Sequence, residues 1–303
     1  MKKTFYSNGK LLITGEYTVL DGAKALALPT KSGQTLEVEN THNGLIKWTS
    51  LDADGRVWLE AEFTIDAVVA NTPTGTSAEA DTLIKILHEA HNVNPKVLTG
   101  AAGFTIITKL TFPRHWGLGT SSTLINNIAQ WFGIDAYALL ANSFGGSGYD
   151  IACAQNDTPI IYSLNAGVPI VSRVTFNPAY ANDIYFVYLN QKQNSREAIA
   201  AYRERRGDIK AVLPRIDTLT NDVLLAGDTN TLASALEKHE DLMAGLLGIA
   251  PVQERLFPDF KGAVKSLGAW GGDFVMAVAE ENPTAYFKDK GYATIIAYRD
   301  MIL

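Results

Sequence analysis

The sequence predicts an α+β protein of two domains, and three observations predict it. The chain has 303 residues with 47% hydrophobic content, enough for two ordinary cores, and chains of that size usually divide. Its early part alternates apolar and polar residues in Thr35-Leu36-Glu37-Val38-Glu39, Leu45-Ile46-Lys47-Trp48 and Val57-Trp58-Leu59-Glu60-Ala61, as strands with one wet face do. Its second half sets helical periodicity between strongly apolar short runs, as expected of helices packed on one face of a small antiparallel sheet. The expected boundary at residues 165–182 carries Asn165, Gly167, Pro169, Asn177 and Pro178, and gives domains of 1–170 and 171–303.

Taken in order, residues 11–14 read as a short strand, followed by the turn Gly15-Glu16 and an apolar piece, Tyr17 to Leu20, that Asp21-Gly22 closes. Residues 33–70 read as a meander. Ala80, Leu83, Ile84 and Leu87 have helical spacing and predict a helix over 76–91. A strand at 104–110 then delivers the chain to a glycine-bearing turn and a helix over 121–132. A shorter helix follows, capped by Asp135 and ending at Asn142-Ser143-Phe144-Gly145-Gly146. Strands are expected at 159–164, 184–189, 274–279 and 293–298, and helices at 195–206, 209–226, 229–247 and 251–266.

Composition narrows the function. A net charge of −6 and a pI near 5.4 argue against nucleic acid as a partner, and the densest basic cluster, Arg203-Glu204-Arg205-Arg206, is interrupted by an acid. The first ten residues turn polar after Lys2-Lys3, so no signal peptide is expected, and no apolar window approaches the roughly eighteen residues of a membrane span. The one cysteine, Cys153, lies in an apolar run as a packed thiol, forms no internal disulfide, and suits a cytoplasmic location. The five histidines show no metal-ligand spacing.

The chemistry concentrates in Pro113-Arg114-His115-Trp116-Gly117-Leu118-Gly119-Thr120-Ser121-Ser122-Thr123-Leu124. Two glycines let the backbone approach a ligand, and three hydroxyls sit at a helix start whose free N–H groups and positive dipole end suit a phosphate. The Walker spacing is absent, and the dinucleotide fingerprint fails at Ser122, where its third glycine would stand.

Three more stretches join this one: Gly9 to Gly22, Gly146-Ser147-Gly148-Tyr149-Asp150-Ile151-Ala152, and Gly268-Ala269-Trp270-Gly271-Gly272-Asp273-Phe274-Val275-Met276-Ala277. In order and spacing the four resemble the GHMP kinases over nearly the whole chain. Gly-Glu-Tyr at 15–17, Ser-Gly-Tyr-Asp at 147–150 and Gly-Gly-Asp at 271–273 look most like phosphomevalonate kinase, with mevalonate kinase next. The resemblance implies a β-rich N-terminal α/β domain, a ferredoxin-like α+β C-terminal domain, and transfer of the γ-phosphoryl group of ATP, with Mg²⁺, to a small acceptor such as phosphomevalonate or mevalonate. Such catalysis is mostly positioning and charge stabilisation.

Residue by residue, the resemblance implies that Gly117, Leu118, Gly119, Thr120 and Ser121 wrap the ATP phosphates and that Ser122 offers a hydroxyl to Mg²⁺. It makes Asp150 the base for the acceptor and Lys10 its nearby cation. Glu16, Tyr17, Ser147, Gly148, Gly271 and Gly272 would line the substrate, although Glu16 can equally serve only to pin its turn. Lys109, Arg114, His115, Lys192 and Arg196 are candidate cations for a substrate phosphate.

Three departures stand out. Asn8-Gly9-Lys10 replaces Pro-Gly-Lys, Thr123 stands where the loop usually has a small residue, and Trp270 sits inside the third glycine run, where it could narrow the site or stack on a substrate. The segment 123–145 is short for the two helices the family has there. No acid follows Asp135 in it, where mevalonate-kinase-like members carry a Mg²⁺ glutamate, so another carboxylate substitutes or the metal leans on phosphates and water. The shortening leaves open a member that binds a metabolite without catalysis, and the ATP-consuming diphosphomevalonate decarboxylase branch is a third use of the same motifs. The sequence sets no oligomeric state.

Overall fold

The computed structural model describes residues 2–193 and 195–303, with the side chains of all of these except 195 and 196. The chain is α+β and forms two compact units, one of Met1–Gly9, Ser32–Arg114 and Leu118–Gln155, the other of Lys10–Lys31, His115–Gly117 and Asn156–Leu303. Residues of the expected first domain therefore supply both units. The long strand β2 (Ala25–Asn40) is one reason, since it passes from the second unit into the first.

The first unit holds most of β1 (Lys2–Leu12), the later part of β2, β3 (Leu45–Leu51), β4 (Val57–Thr64), α1 (Ile65–Val69), α2 (Ala78–Val93), β5 (Phe104–Leu110), α3 (Thr120–Phe132), α4 (Ala136–Ser143) and α5 (Tyr149–Ala154). Its strand order is β4-β3-β5-β2, with β1 also paired to β2. This is not the simple meander expected: β5 lies between β2 and β3, antiparallel to β2 (Gln34↔Leu110) and parallel to β3 (Ile46↔Phe104). Alternate β5 residues Phe104, Ile106, Thr108 and Leu110 are buried, and two flanking strands satisfy its backbone on both edges. β1 starts at Lys2, well before the expected 11–14, and ends at Leu12, because a ladder to β2 needs backbone groups and not apolar side chains.

The core of this unit joins Leu36, Val38, Ile46 and Trp48 of the sheet to Leu83, Ile84 and Leu87 of α2 and to Ile125, Ile128 and Phe132 of α3. Ser77 caps α2 by accepting from Ala80 N, and Asp135 caps α4 by accepting from Tyr137 N.

In the second unit β6 (Ile160–Asn165) pairs with the start of β2 (Ala27↔Ile160), and β7 (Val168–Arg173) pairs with β6. The expected linker thus contains a strand, reached through a tight turn at Ala166 and Gly167, both with positive φ. The rest comprises β8 (Ile184–Tyr188), α6 (Ser195–Arg205), α7 (Leu213–Leu225), α8 (Thr229–Leu247), α9 (Val252–Leu256), β9 (Ala263–Ser266), β10 (Phe274–Val278), α10 (Thr284–Asp289), β11 (Ile295–Ala297) and α11 (Tyr298–Met301).

The strands of this part form an antiparallel sheet in the order β11-β8-β10-β9, the βαββαβ arrangement of ferredoxin-like folds. The helix expected over 251–266 stops after α9. Pro258 and Gly262 interrupt it, and at Gly262 the backbone comes so close to Val278 O that no Cβ would fit, which lets β9 form against β10. Among the described residues no helix is long and apolar enough to cross a membrane.

Candidate active site

The glycine loop follows β5 and the buried Phe112. A short 3₁₀ turn, Arg114–Trp116, leads to Gly117 at φ 70° and Gly119 at φ 99°, a conformation that favours glycine. Gly119 is the N-cap of α3, and no side chain caps that helix. The N-cap position therefore brings no side-chain acceptor to the first-turn N–H groups and the positive dipole end. Leu118 is buried and anchors the loop.

The three hydroxyls behave differently. Ser122 is only 2% exposed and donates to Gly119 O at 2.9 Å, so it faces inward. Ser121 is exposed and Thr120 half-buried, and these two are the reachable hydroxyls. Beneath them runs a neutral polar network that the sequence did not announce. Thr123 Oγ1 donates to Gln34 Oε1 (2.8 Å), Asn127 Nδ2 to Gln34 O (2.9 Å), Asn126 Nδ2 to Ser7 Oγ (2.8 Å), Ser7 Oγ to Asn127 Oδ1 (2.8 Å), and Gln155 Nε2 to Asn126 Oδ1 (2.9 Å). Helical periodicity cannot distinguish such asparagines from solvated ones.

Asp150 lies in the first turn of α5, after the buried Gly148 at φ 85° and the half-buried Ser147. It is half-buried itself, and its Oδ1 accepts from Ile151 N at 3.1 Å. Burial pushes the nearby Tyr137 hydroxyl up to about 12, helped by the charges of Cys153, Asp135 and Asp150.

In the second unit Lys10 Nζ donates to Gly117 O at 2.8 Å. Gly271 and Gly272 pack on the segment 191–193: a Cβ would lie 2.5 Å from Gln193 Nε2 at 271 and 2.7 Å from Gln191 O at 272. Trp270 neither narrows an opening nor stands free for stacking, since it is buried with Tyr17, Tyr202 and Met243.

Glu16 and Tyr17 are likewise interior. Glu16 is 0% exposed, and Lys265 Nζ donates to its Oε1. Burial pushes its carboxyl up to about 7, against the pull of Lys265. Tyr17, at φ 57°, stacks on Tyr202 with ring centroids 5.4 Å apart. The Glu16 side chain is thus held by Lys265 in the interior of the second unit.

The candidate cations are dispersed. Arg114 sits over the Trp58 ring at 5.2 Å, His115 packs on Tyr188 at 5.4 Å, Lys109 and Lys192 are exposed, and the side chain of Arg196 lies outside the described residues. Among the described residues no group of three or more His, Cys, Asp or Glu side chains is placed to hold a metal ion.

No family model and no curated protein matches the chain in sequence. Solved structures do match it in fold. The mevalonate kinase of Methanococcus jannaschii superposes with a TM-score of 0.74 at 15% identity, covering 98% of this chain and 97% of that one. The Streptococcus pneumoniae phosphomevalonate kinase, solved with phosphomevalonate and AMPPNP, gives 0.73 at 15% identity over 97% and 99%. A D-glycero-D-manno-heptose 1-phosphate kinase from Bacteriodes thetaiotaomicron gives 0.69 at 15% identity over 100% and 96%. At such identity the likeness is one of fold, and by it this chain has the GHMP kinase fold.

Proposed function

We propose that the protein is an ATP- and Mg²⁺-dependent kinase that moves the γ-phosphoryl group to a small polar acceptor, with phosphomevalonate and mevalonate the acceptors to test first. The observation that carries this reading is the head of α3: a left-handed glycine N-cap, no capping side chain, and two reachable hydroxyls. Fixed N–H donors of this kind stabilise phosphate charge without reorganising during transfer. ATP supplies the phosphoryl group, and Mg²⁺ neutralises charge on its oxygens.

On this reading Gly117, Leu118, Gly119 and Thr120 hold the phosphates. We assign the Mg²⁺-facing hydroxyl to Ser121 in place of Ser122, because Ser122 is buried and already bound to Gly119 O. Asp150 handles the proton of the acceptor, and the bond its Oδ1 accepts from Ile151 N fixes the carboxyl group at the start of α5. Lys10 balances phosphoryl charge. Ser147 and Gly148, beside Asp150, contact the acceptor, whereas Gly271 and Gly272 act by packing on the segment 191–193, and Glu16 and Tyr17 by holding the turn that follows β1.

The test is ADP release from Mg²⁺-ATP against phosphomevalonate, mevalonate, diphosphomevalonate, homoserine and simple sugars, with mass spectrometry of the products. Acceptor-dependent ADP with a matching phosphorylated product is expected. In that assay Asp150→Asn should bind ATP normally and lose roughly a hundredfold or more in turnover. Full turnover in the variant would remove Asp150 from the chemistry.

A further inference from the structure

The glycine run before β10 contains one half-buried carboxylate, that of Asp273. Asp273 adopts φ 53°, the left-handed region that strains an L-residue and that glycine enters freely. Its backbone is fixed on both sides, its N–H donating to Gln191 O at 2.6 Å and its carbonyl accepting from Leu189 N at 2.8 Å. Oδ1 also accepts from Gln193 N at 3.3 Å.

The same carboxylate lies against Gly117. A Cβ at position 117 would fall within its atoms, 2.7 Å from Oδ1, so glycine is required there while Asp273 stays in place. The carbonyl of Gly117 is the group that receives the Lys10 ammonium at 2.8 Å. Lys10, Gly117 and Asp273 are all half-buried, so solvent reaches this polar group at the start of the glycine loop only in part. Burial raises the Asp273 carboxyl, and Lys10 is the strongest influence pulling it back, followed by the Gln193 N–H and Lys192.

We propose that Asp273 is a positioning residue that, together with the Gly117 carbonyl, holds the Lys10 ammonium charged and in place at the head of the glycine loop. The use of that ammonium in phosphoryl transfer rests on the kinase reading; the holding itself does not. A role confined to capping Gln193 is the alternative, and Asp273→Asn separates the two. Asparagine keeps an oxygen acceptor for Gln193 N and tolerates the left-handed backbone, but removes the charge.

The experiment is amine acylation of the full-length chain at one fixed pH, read by peptide mass spectrometry, alongside the ADP assay. In Asp273→Asn, Lys10 should label roughly three- to tenfold faster, because an ammonium that loses a neighbouring negative charge gives up its proton more readily. Lys3 and Lys96, both exposed, should label at the wild-type rate. Turnover should fall about tenfold or more with the unfolding temperature unchanged. Asp273→Gly deletes the carboxylate and relieves the backbone strain, so it decides the question if the asparagine variant does not fold. Wild-type labelling of Lys10 in a folded variant overturns the proposal, and faster labelling with unchanged turnover overturns its role in transfer. If the wild type forms no ADP with any acceptor, the kinase reading fails while the labelling still decides whether Asp273 holds Lys10.

Discussion

The interiors of the two units are polar in different ways. Beneath α3 in the first unit, Ser7, Gln34, Asn126, Asn127 and Gln155 are neutral, and no buried side-chain atom among them lacks a partner. In the second unit the buried group is charged: Glu16 pairs with Lys265, and Glu240 accepts from Val252 N, Ser266 N and Ser266 Oγ. Here Glu16 Oε2 and His239 Nδ1 have no hydrogen-bond partner. His239 does not complete an ion pair, since its Nε2 accepts from Gly15 N at 3.1 Å and burial, with Lys265, drives its pKa well below the ordinary value. A neutral network fixes α3 and its loop at any pH, whereas a charged one makes the turn at Glu16 depend on which protons are bound.

The largest effect should come from Lys265→Ala. It strands a buried carboxylate and should cost about 3–5 kcal/mol in urea unfolding. The double variant Glu16→Gln with Lys265→Met should recover much of that loss. A cost within the range of a surface pair would mean that the charge is not buried. Asn127→Ala should cost less, about 1–3 kcal/mol, by leaving Ser7 Oγ and Gln34 O short of partners. That loss should be the same at pH 5 and pH 8, and a pH-dependent loss would erase the contrast between the units.

A pH slope sharpens the same contrast. The Glu16 carboxyl, at about 7 in the fold against 4.5 ordinarily, binds its proton more tightly folded than unfolded. Stability from this group therefore rises as pH falls through 7 toward 4.5 and is lost as pH rises through 7, by no more than about 1.4 kcal/mol per pH unit. Glu16→Gln should flatten the unfolding free energy across that window, and an unchanged slope would place the titration elsewhere.

The sequence displayed what depends on local chemistry. The periodicity of α8 and the cap of α4 at Asp135 are set by residues near in sequence, and they stand where the pattern puts them. The glycine loop was legible for the same reason, because a left-handed cap needs glycine. Hidden were features set by distant partners. The insertion of β5 between β2 and β3 follows from which edges remain free, and β9 is four residues long, too short to show a period. The inward turn of Ser122, beside an outward Ser121, depends on helix phase at one residue, which a run of hydroxyls cannot reveal. Lys265 reads as a surface cation until Glu16, 249 residues away in sequence, is placed beside it.

Whether the head of α3 receives a triphosphate is decided by calorimetric titration of Mg²⁺-ATP into the wild type and Gly119→Val. Valine cannot adopt φ 99° without strain. The wild type should bind saturably and the variant about tenfold or more weaker, about 1.4 kcal/mol or above, with circular dichroism and urea unfolding showing an intact fold. Equal affinity in both proteins, or no binding by a folded wild type, would contradict triphosphate binding at the head of α3.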